Sequence, residues 1–166
     1  MTERIAHILV PLDFSTNAAR ALRYAKTLAS RFGASLELLH VVEDPFTSGA
    51  WSSEIYVPNI VELRGSLVKD AEQRLAVDQS ALSLEGVPTI ATVRTGPVGY
   101  TIVEYAQAVH ADLIVMGTHG RTGLAHIFMG SVAERVVRTA PCPVLTVREV
   151  TVAAEKEPMR VAEAAA

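Results

Sequence analysis

The fold is decided by one stretch: Asp112-Leu-Ile-Val-Met116, then Gly117-Thr-His-Gly120, and after a further excursion Gly130-Ser131-Val-Ala-Glu134. The first part is a short, unalternating apolar run, the pattern of a parallel strand buried on both faces. The last part opens a helical pattern, with Ser131 and Glu134 spaced as a capping box. A strand, a glycine-rich loop and a helix start, in that order, build a receptor for an anion. Glycine lets the backbone approach a ligand closely, and the first N–H groups of a helix have no partner within it.

The same alternation runs through the rest of the chain. His7-Ile-Leu-Val-Pro-Leu12 reads as a first strand ending at Asp13, with Pro11 near its end where a missing donor is tolerated. Ala18, Ala21, Leu22, Ala25, Leu28, Ala29 and Phe32 follow helical spacing, with Ser15 or Asn17 as the start and Gly33 as the stop. Ser35–Val42 is a second strand, and an irregular stretch follows through Pro58. A long helix covers about Asn59–Leu84, with Ile60, Leu63, Leu67, Ala71, Leu75, Ala76 and Leu82 as its apolar positions. Thr89–Val93 is a third strand. Val98, Ile102, Tyr105, Ala106 and Val109 face inward from a helix that Pro97 introduces. After the strand at 112–116, the helix from Ser131 turns Val132, Val136 and Val137 inward, and Cys142–Val147 forms a fifth strand.

Five strands alternating with four helices predict an α/β domain, a parallel sheet with helices on both faces and right-handed crossovers. Ligands of such sheets bind beyond the C-terminal strand ends, where the strand order reverses. If the first strand lies beside the fourth, Asp13, Val41 and Gly117 surround one crevice.

Composition narrows the function. At 166 residues the chain is expected to form one domain, over residues 1–148, with an Ala/Glu-rich, disordered tail at 149–166. A net charge of -3 and a pI near 5.9 argue against a nucleic-acid or membrane-surface partner. The lone Cys142 excludes an internal disulfide framework. The N-terminus lacks a secretory signal and no apolar run reaches the ~20 residues that span a bilayer, so a cytoplasmic protein is expected. There is no G-x-x-x-x-G-K-[ST], no G-x-S-x-G and no zinc spacing among the five histidines and one cysteine.

Each candidate residue has a structural role beside its functional one. Ser131 caps its helix, and its hydroxyl can also donate to a phosphate oxygen. Asp13 caps the first helix, or holds a ribose hydroxyl or a Mg²⁺ ion through water. Pro11 and Val41 can pack on an adenine ring. His119 and Arg121 lie in the loop within reach of phosphates. His40 reads as a strand residue satisfied locally, and Cys142 as a small core residue. Three or four charge-assisted contacts of about 1.5–3 kcal/mol each, less the entropy of binding, would hold a nucleotide near micromolar affinity. No general base or transition-state clamp is visible.

Val10-Pro-Leu-Asp13, His40-Val-Val42, Asp112–Gly120 and Gly130–Val144 resemble the universal stress protein family, over about residues 3–148. The signature of that family's ATP-binding branch is G-x2-G-x9-G-[ST], and Gly117, Gly120, Gly130 and Ser131 match it at every fixed position. The resemblance implies a Rossmann-like domain of the adenine nucleotide alpha-hydrolase type, with strand order 3-2-1-4-5, that forms a homodimer through its last strand. It also implies ATP in the crevice, with Asp13 at the ribose or metal and Val41 at the adenine. Met116, Gly117, Gly120, Gly130, Ser131 and Val132 would contact ribose and phosphates. The expected function is that of an ATP-binding stress-response or regulatory protein. The alternatives are a slow ATPase or nucleotidyl transferase on the same scaffold, and a non-catalytic module whose long second helix or 43–58 segment binds a protein partner.

Overall fold

The computed structural model describes residues 4–43, 60–118 and 129–148. Its elements are β1 (His7–Pro11), α1 (Thr16–Phe32), β2 (Ser35–Val42), α2 (Ile60–Leu84), β3 (Thr89–Thr95), α3 (Val98–Ala108), β4 (Leu113–Gly117), α4 (Ser131–Thr139) and β5 (Val144–Val147). The sheet has the order β3-β2-β1-β4-β5, parallel throughout. This is the expected doubly wound arrangement. The 149–166 tail and most of the 43–58 segment lie outside the described residues.

Side-chain alternation splits the core into two layers. Ile8 and Val10 of β1 join Leu36 and Leu38 of β2 under α1 and α2, where Ala18, Ala21, Ala25, Leu75 and Leu82 meet them. Leu9, Leu39 and Val41 point the other way, onto Ile102 and Ala106 of α3 and Val136 of α4. Each buried Leu, Ile or Val contributes about 1.5–3 kcal/mol. The alanine stripe of α1 lets that helix lie close to the sheet.

One buried carboxylate interrupts the apolar layers. Glu37 of β2 accepts from the hydroxyls of Tyr105 at 2.5 Å and Thr92 at 3.1 Å, with His7 Nε2 at 3.5 Å. Burial pushes the Tyr105 phenol above its ordinary range, and the bond it donates to Glu37 adds to the shift. This network ties α3 to the two strands beneath it.

Several boundaries and faces differ from expectation. β3 runs on to Thr95, because it pairs with β2 up to Val42. α1 begins at Thr16, capped by Ser15 and not by Asn17, which is buried inside the first turn. Phe32, the last residue of α1, is half exposed because Gly33 turns the chain away in a left-handed conformation, φ 66°. On α2, Ala71, Leu75 and Leu82 reach the core, whereas Leu63 and Leu67 are exposed and Ala76 faces solvent. α4 turns Ala133 and Val136 inward with Val132 at the margin, which leaves Val137 on the outer side.

The crevice follows from the pairing of β1. It hydrogen-bonds with β2 along its whole length, but its pairs with β4 are Ile8–Leu113 and Leu9–Ile114. Beyond them Pro11 offers no N–H, and Leu12 turns its own to Leu39 O at 2.8 Å, on the β2 side. The ends of β1 and β4 are therefore free to line a cavity at the point where the strand order reverses.

Candidate functional site

A cavity of about 550 Å³ opens at this point, within the ~300–1,000 Å³ typical of small-molecule sites. Pro11, Asp13, Val41, Met116, Gly117, Gly130, Ser131 and Val132, all singled out from the sequence, line it together. Gly120, His119 and Arg121 lie outside the described residues.

Asp13 sits at the turn from β1 into α1. Its Oδ1 accepts from the Ser15 N–H at 3.0 Å and from the Ser15 hydroxyl at 2.6 Å. Ser15 Oγ in turn accepts from the Ala18 N–H at 3.1 Å. Ser15 is thus the cap of α1, and Asp13 braces the cap instead of forming it. The aspartate reaches the cavity from a turn that already fixes its rotamer.

Between them Phe14 adopts φ 63°, a left-handed conformation that costs a bulky residue about 1–3 kcal/mol. Stacking on both faces holds it there. The His40 ring lies on one side, with centroids 4.5 Å apart, and the Arg74 guanidinium stands 4.2 Å from the ring centroid on the other. His40 Nδ1 meets Leu12 O at 2.6 Å, so His40 is a strand residue satisfied locally, as its sequence setting implied.

The opposite wall begins at Gly117. A Cβ there would stand 3.1 Å from Asn17 Cβ and 3.2 Å from the Asn17 carbonyl carbon. Any side chain there would press on the backbone of α1 at Asn17, so the close approach of α1 favours glycine independently of a ligand. Thr118 donates its N–H to Val147 O at 3.1 Å, and its carbonyl accepts from the Gly130 N–H at 2.8 Å. That bond brings the residue before α4 back to the tip of β4.

The expected capping box at Ser131 does not form. Gly130, in an extended conformation (φ -71°, ψ 153°), is the residue before the helix, and its carbonyl accepts from the Glu134 N–H at 2.9 Å. The Glu134 carboxylate turns outward to Arg138 at 3.4 Å. Ser131 becomes the first helical residue, exposed, and its hydroxyl makes no hydrogen bond among the described residues. A residue inside the helix cannot fold its side chain back over the first-turn amides as a cap does. The start of α4 therefore keeps its N–H groups without a side-chain cap, at the edge of the cavity.

The cavity fits a nucleotide on three counts. It has uncapped amides and a hydroxyl at one end, a carboxylate midway, and apolar Val41 and Val42 at the other. Among the described residues no three His, Cys, Asp or Glu side chains converge on a point. A Mg²⁺ ion that arrives with phosphates needs only one or two protein carboxylates, and Asp13 suits that role.

The structure also adds Phe14, Asp70, Arg74 and Thr118 to the lining. Only the spacing of Arg74, one position before buried Leu75, places it beside the inward stripe of α2. Nothing in the sequence pairs it with Phe14. Cys142 is half buried against the α4 layer, and burial, reinforced by Asp112, pushes its thiol above the ordinary range. It fits the small core residue expected. No helix among the described residues is long and apolar enough to cross a membrane.

Comparison with known proteins matches the universal stress protein family profile to residues 4–148. The chain belongs to that family. Universal stress protein MJ0531 of Methanocaldococcus jannaschii is 38% identical over 149 residues, which cover 86% of this chain and 81% of the relative. Among solved structures, the hypothetical protein MJ0577 superposes with a TM-score of 0.76 at 30% identity, covering 87% of this chain and 96% of its own. Two more distant structures share the fold: a universal stress protein in complex with cAMP, and one from Archaeoglobus fulgidus in complex with dAMP. Their identities are 22% and 23%, their TM-scores both 0.57, and they cover 86% and 87% of this chain and 96% and 98% of their own.

Proposed function

We propose that this universal stress protein binds ATP in the crevice between β1 and β4 and acts as a nucleotide-dependent regulatory protein of the stress response. The observation that carries the reading is the uncapped start of α4 facing the same cavity as Asp13 and Val41. The triphosphate lies beside Gly130 on the amides from Ser131 to Ala133, with the Ser131 hydroxyl donating to an oxygen. Asp13 takes the ribose or a phosphate-bound Mg²⁺, and the adenine packs against Pro11 and Val41. Met116 and Gly117 form the floor, and Gly120 with His119 and Arg121 complete the phosphate loop. The cAMP and dAMP held by the two fold relatives make an adenine nucleotide the class to test first.

The residues lining the cavity hold and orient a ligand. Among the described residues they include no lysine, and the histidine there, His40, meets Leu12 O. Binding that changes the protein's shape or partners is therefore the favoured role over rapid hydrolysis. The edge of β5, with Leu145 partly exposed, offers the surface for a homodimer in the cytoplasm.

Titration of nucleotide-stripped protein with labelled ATP and Mg²⁺ tests the proposal. One saturable site near micromolar affinity is expected. Absence of saturable binding up to millimolar ATP contradicts it.

A further inference from the structure

Arg74 of α2 stands where the Phe14 stack meets the cavity wall. Its guanidinium carbon lies over the Phe14 ring, 4.2 Å from the centroid, and Phe14 is itself stacked on His40 at 4.5 Å. The side chain is about half exposed, and its Nη1 stands 3.8 Å from Asp70 Oδ2, beyond hydrogen-bond distance. None of its N–H donors makes a hydrogen bond among the described residues. A long, costly-to-order side chain thus rests on an aromatic ring at the wall of the cavity, between the Asp70 and Asp78 carboxylates, with no hydrogen bond to its donors among the described residues.

Its position relative to the rest of the site identifies what it meets. Phe14 is the residue after Asp13, so the stack and the carboxylate belong to one turn. Resting on the nucleotide reading above, phosphates at Ser131 and a ribose at Asp13 direct the base away from α4, toward the end of β2 and the α2 wall. That end is lined by Val41 and Val42 on one side and by Asp70 and Arg74 on the other. A guanidinium plane stacks on nucleobases and donates in its plane to ring nitrogens. A purine is one ring larger than a pyrimidine and carries N7, an acceptor that a pyrimidine lacks.

We infer that Arg74, oriented by the Arg74–Phe14–His40 stack, contacts the purine ring of the bound nucleotide and sets the site's preference for purine over pyrimidine. Asp70 beside it keeps the guanidinium at the cavity wall.

The test measures dissociation constants for ATP and CTP, each with Mg²⁺, on wild type, Arg74→Ala, Arg74→Lys and Ser131→Ala, with melting curves to verify folding. Wild type is expected to prefer ATP by at least about tenfold. Arg74→Ala weakens ATP about tenfold and CTP by less than about twofold, so the preference collapses. Arg74→Lys, which keeps the charge but loses the plane, behaves as Arg74→Ala. Ser131→Ala weakens both nucleotides alike and leaves their ratio unchanged. Wild-type ATP affinity in Arg74→Ala, beside a weakened Ser131→Ala, overturns this inference and leaves the nucleotide site standing. Equal loss of ATP and CTP in Arg74→Ala, or full retention of the preference in Arg74→Lys, overturns the base contact. Failure of wild type to bind either nucleotide overturns the proposed function itself.

Discussion

Two helices start at the rim of the same crevice, each with a serine at its first turn, and they are finished in opposite ways. At α1, Ser15 stands just outside the helix, caps Ala18, and is held by Asp13. At α4, Gly130 takes that outer position and Ser131 moves inside, so no side chain covers the first amides. One residue of phase separates a helix that satisfies its own donors from one that presents them. A serine before a helix is therefore a stabilising cap or a ligand group according to which side of the boundary it falls.

The largest expected effect concerns the point where the two helix starts meet. Gly117→Val would thrust a branched side chain into Asn17 of α1, where even a Cβ stands only 3.1 Å away. Overpacking of this kind costs about 1–3 kcal/mol, read as a lowered urea midpoint. Near-wild-type stability would mean that Gly117 is kept for a ligand rather than for α1.

The paired serine variants come next. Ser15→Ala should lose about 1 kcal/mol of stability, since a real cap is removed. Ser131→Ala should shift stability by less than about 0.5 kcal/mol yet weaken ATP about tenfold, the equivalent of one charge-assisted hydrogen bond. Stability loss in both variants alike would erase the contrast between the helix starts.

Glu134→Ala is the smallest effect. Its carboxylate meets Arg138 on an exposed face, so removal should change stability by less than about 0.5 kcal/mol in denaturant titrations. A loss near 1 kcal/mol would restore the capping box.

That box shows where sequence reading stops. Ser131-Val-Ala-Glu134 has the right letters, but the box needs Ser131 in an extended conformation, and the chain gives that conformation to Gly130. The sheet was easier to read, because runs such as Leu36–Val42 and Leu113–Met116 are buried on both faces and show no competing period. The convergence of Asp13, Val41 and Gly117 followed once β1 was set beside β4. The valines of α4 misled, since three valines within six residues cannot all share the inward face of a nine-residue helix, and alanine at 133 took one place. Phe14 and Arg74 were illegible for a different reason. Their contact joins residues sixty positions apart, and it depends on a backbone conformation that phenylalanine disfavours. Propensity points away from such a site, which is how strained functional positions usually escape sequence analysis.

The central claim is that the uncapped start of α4, and not the capped start of α1, receives the ligand. Backbone amide chemical shifts, followed as ATP with Mg²⁺ is added to labelled protein, test it directly. The amides of Ser131, Val132 and Ala133 are predicted to move in a saturable way while that of Ala18, already bonded to Ser15 Oγ, stays in place. Saturable movement at Ala18 with none at 131–133 would contradict the account.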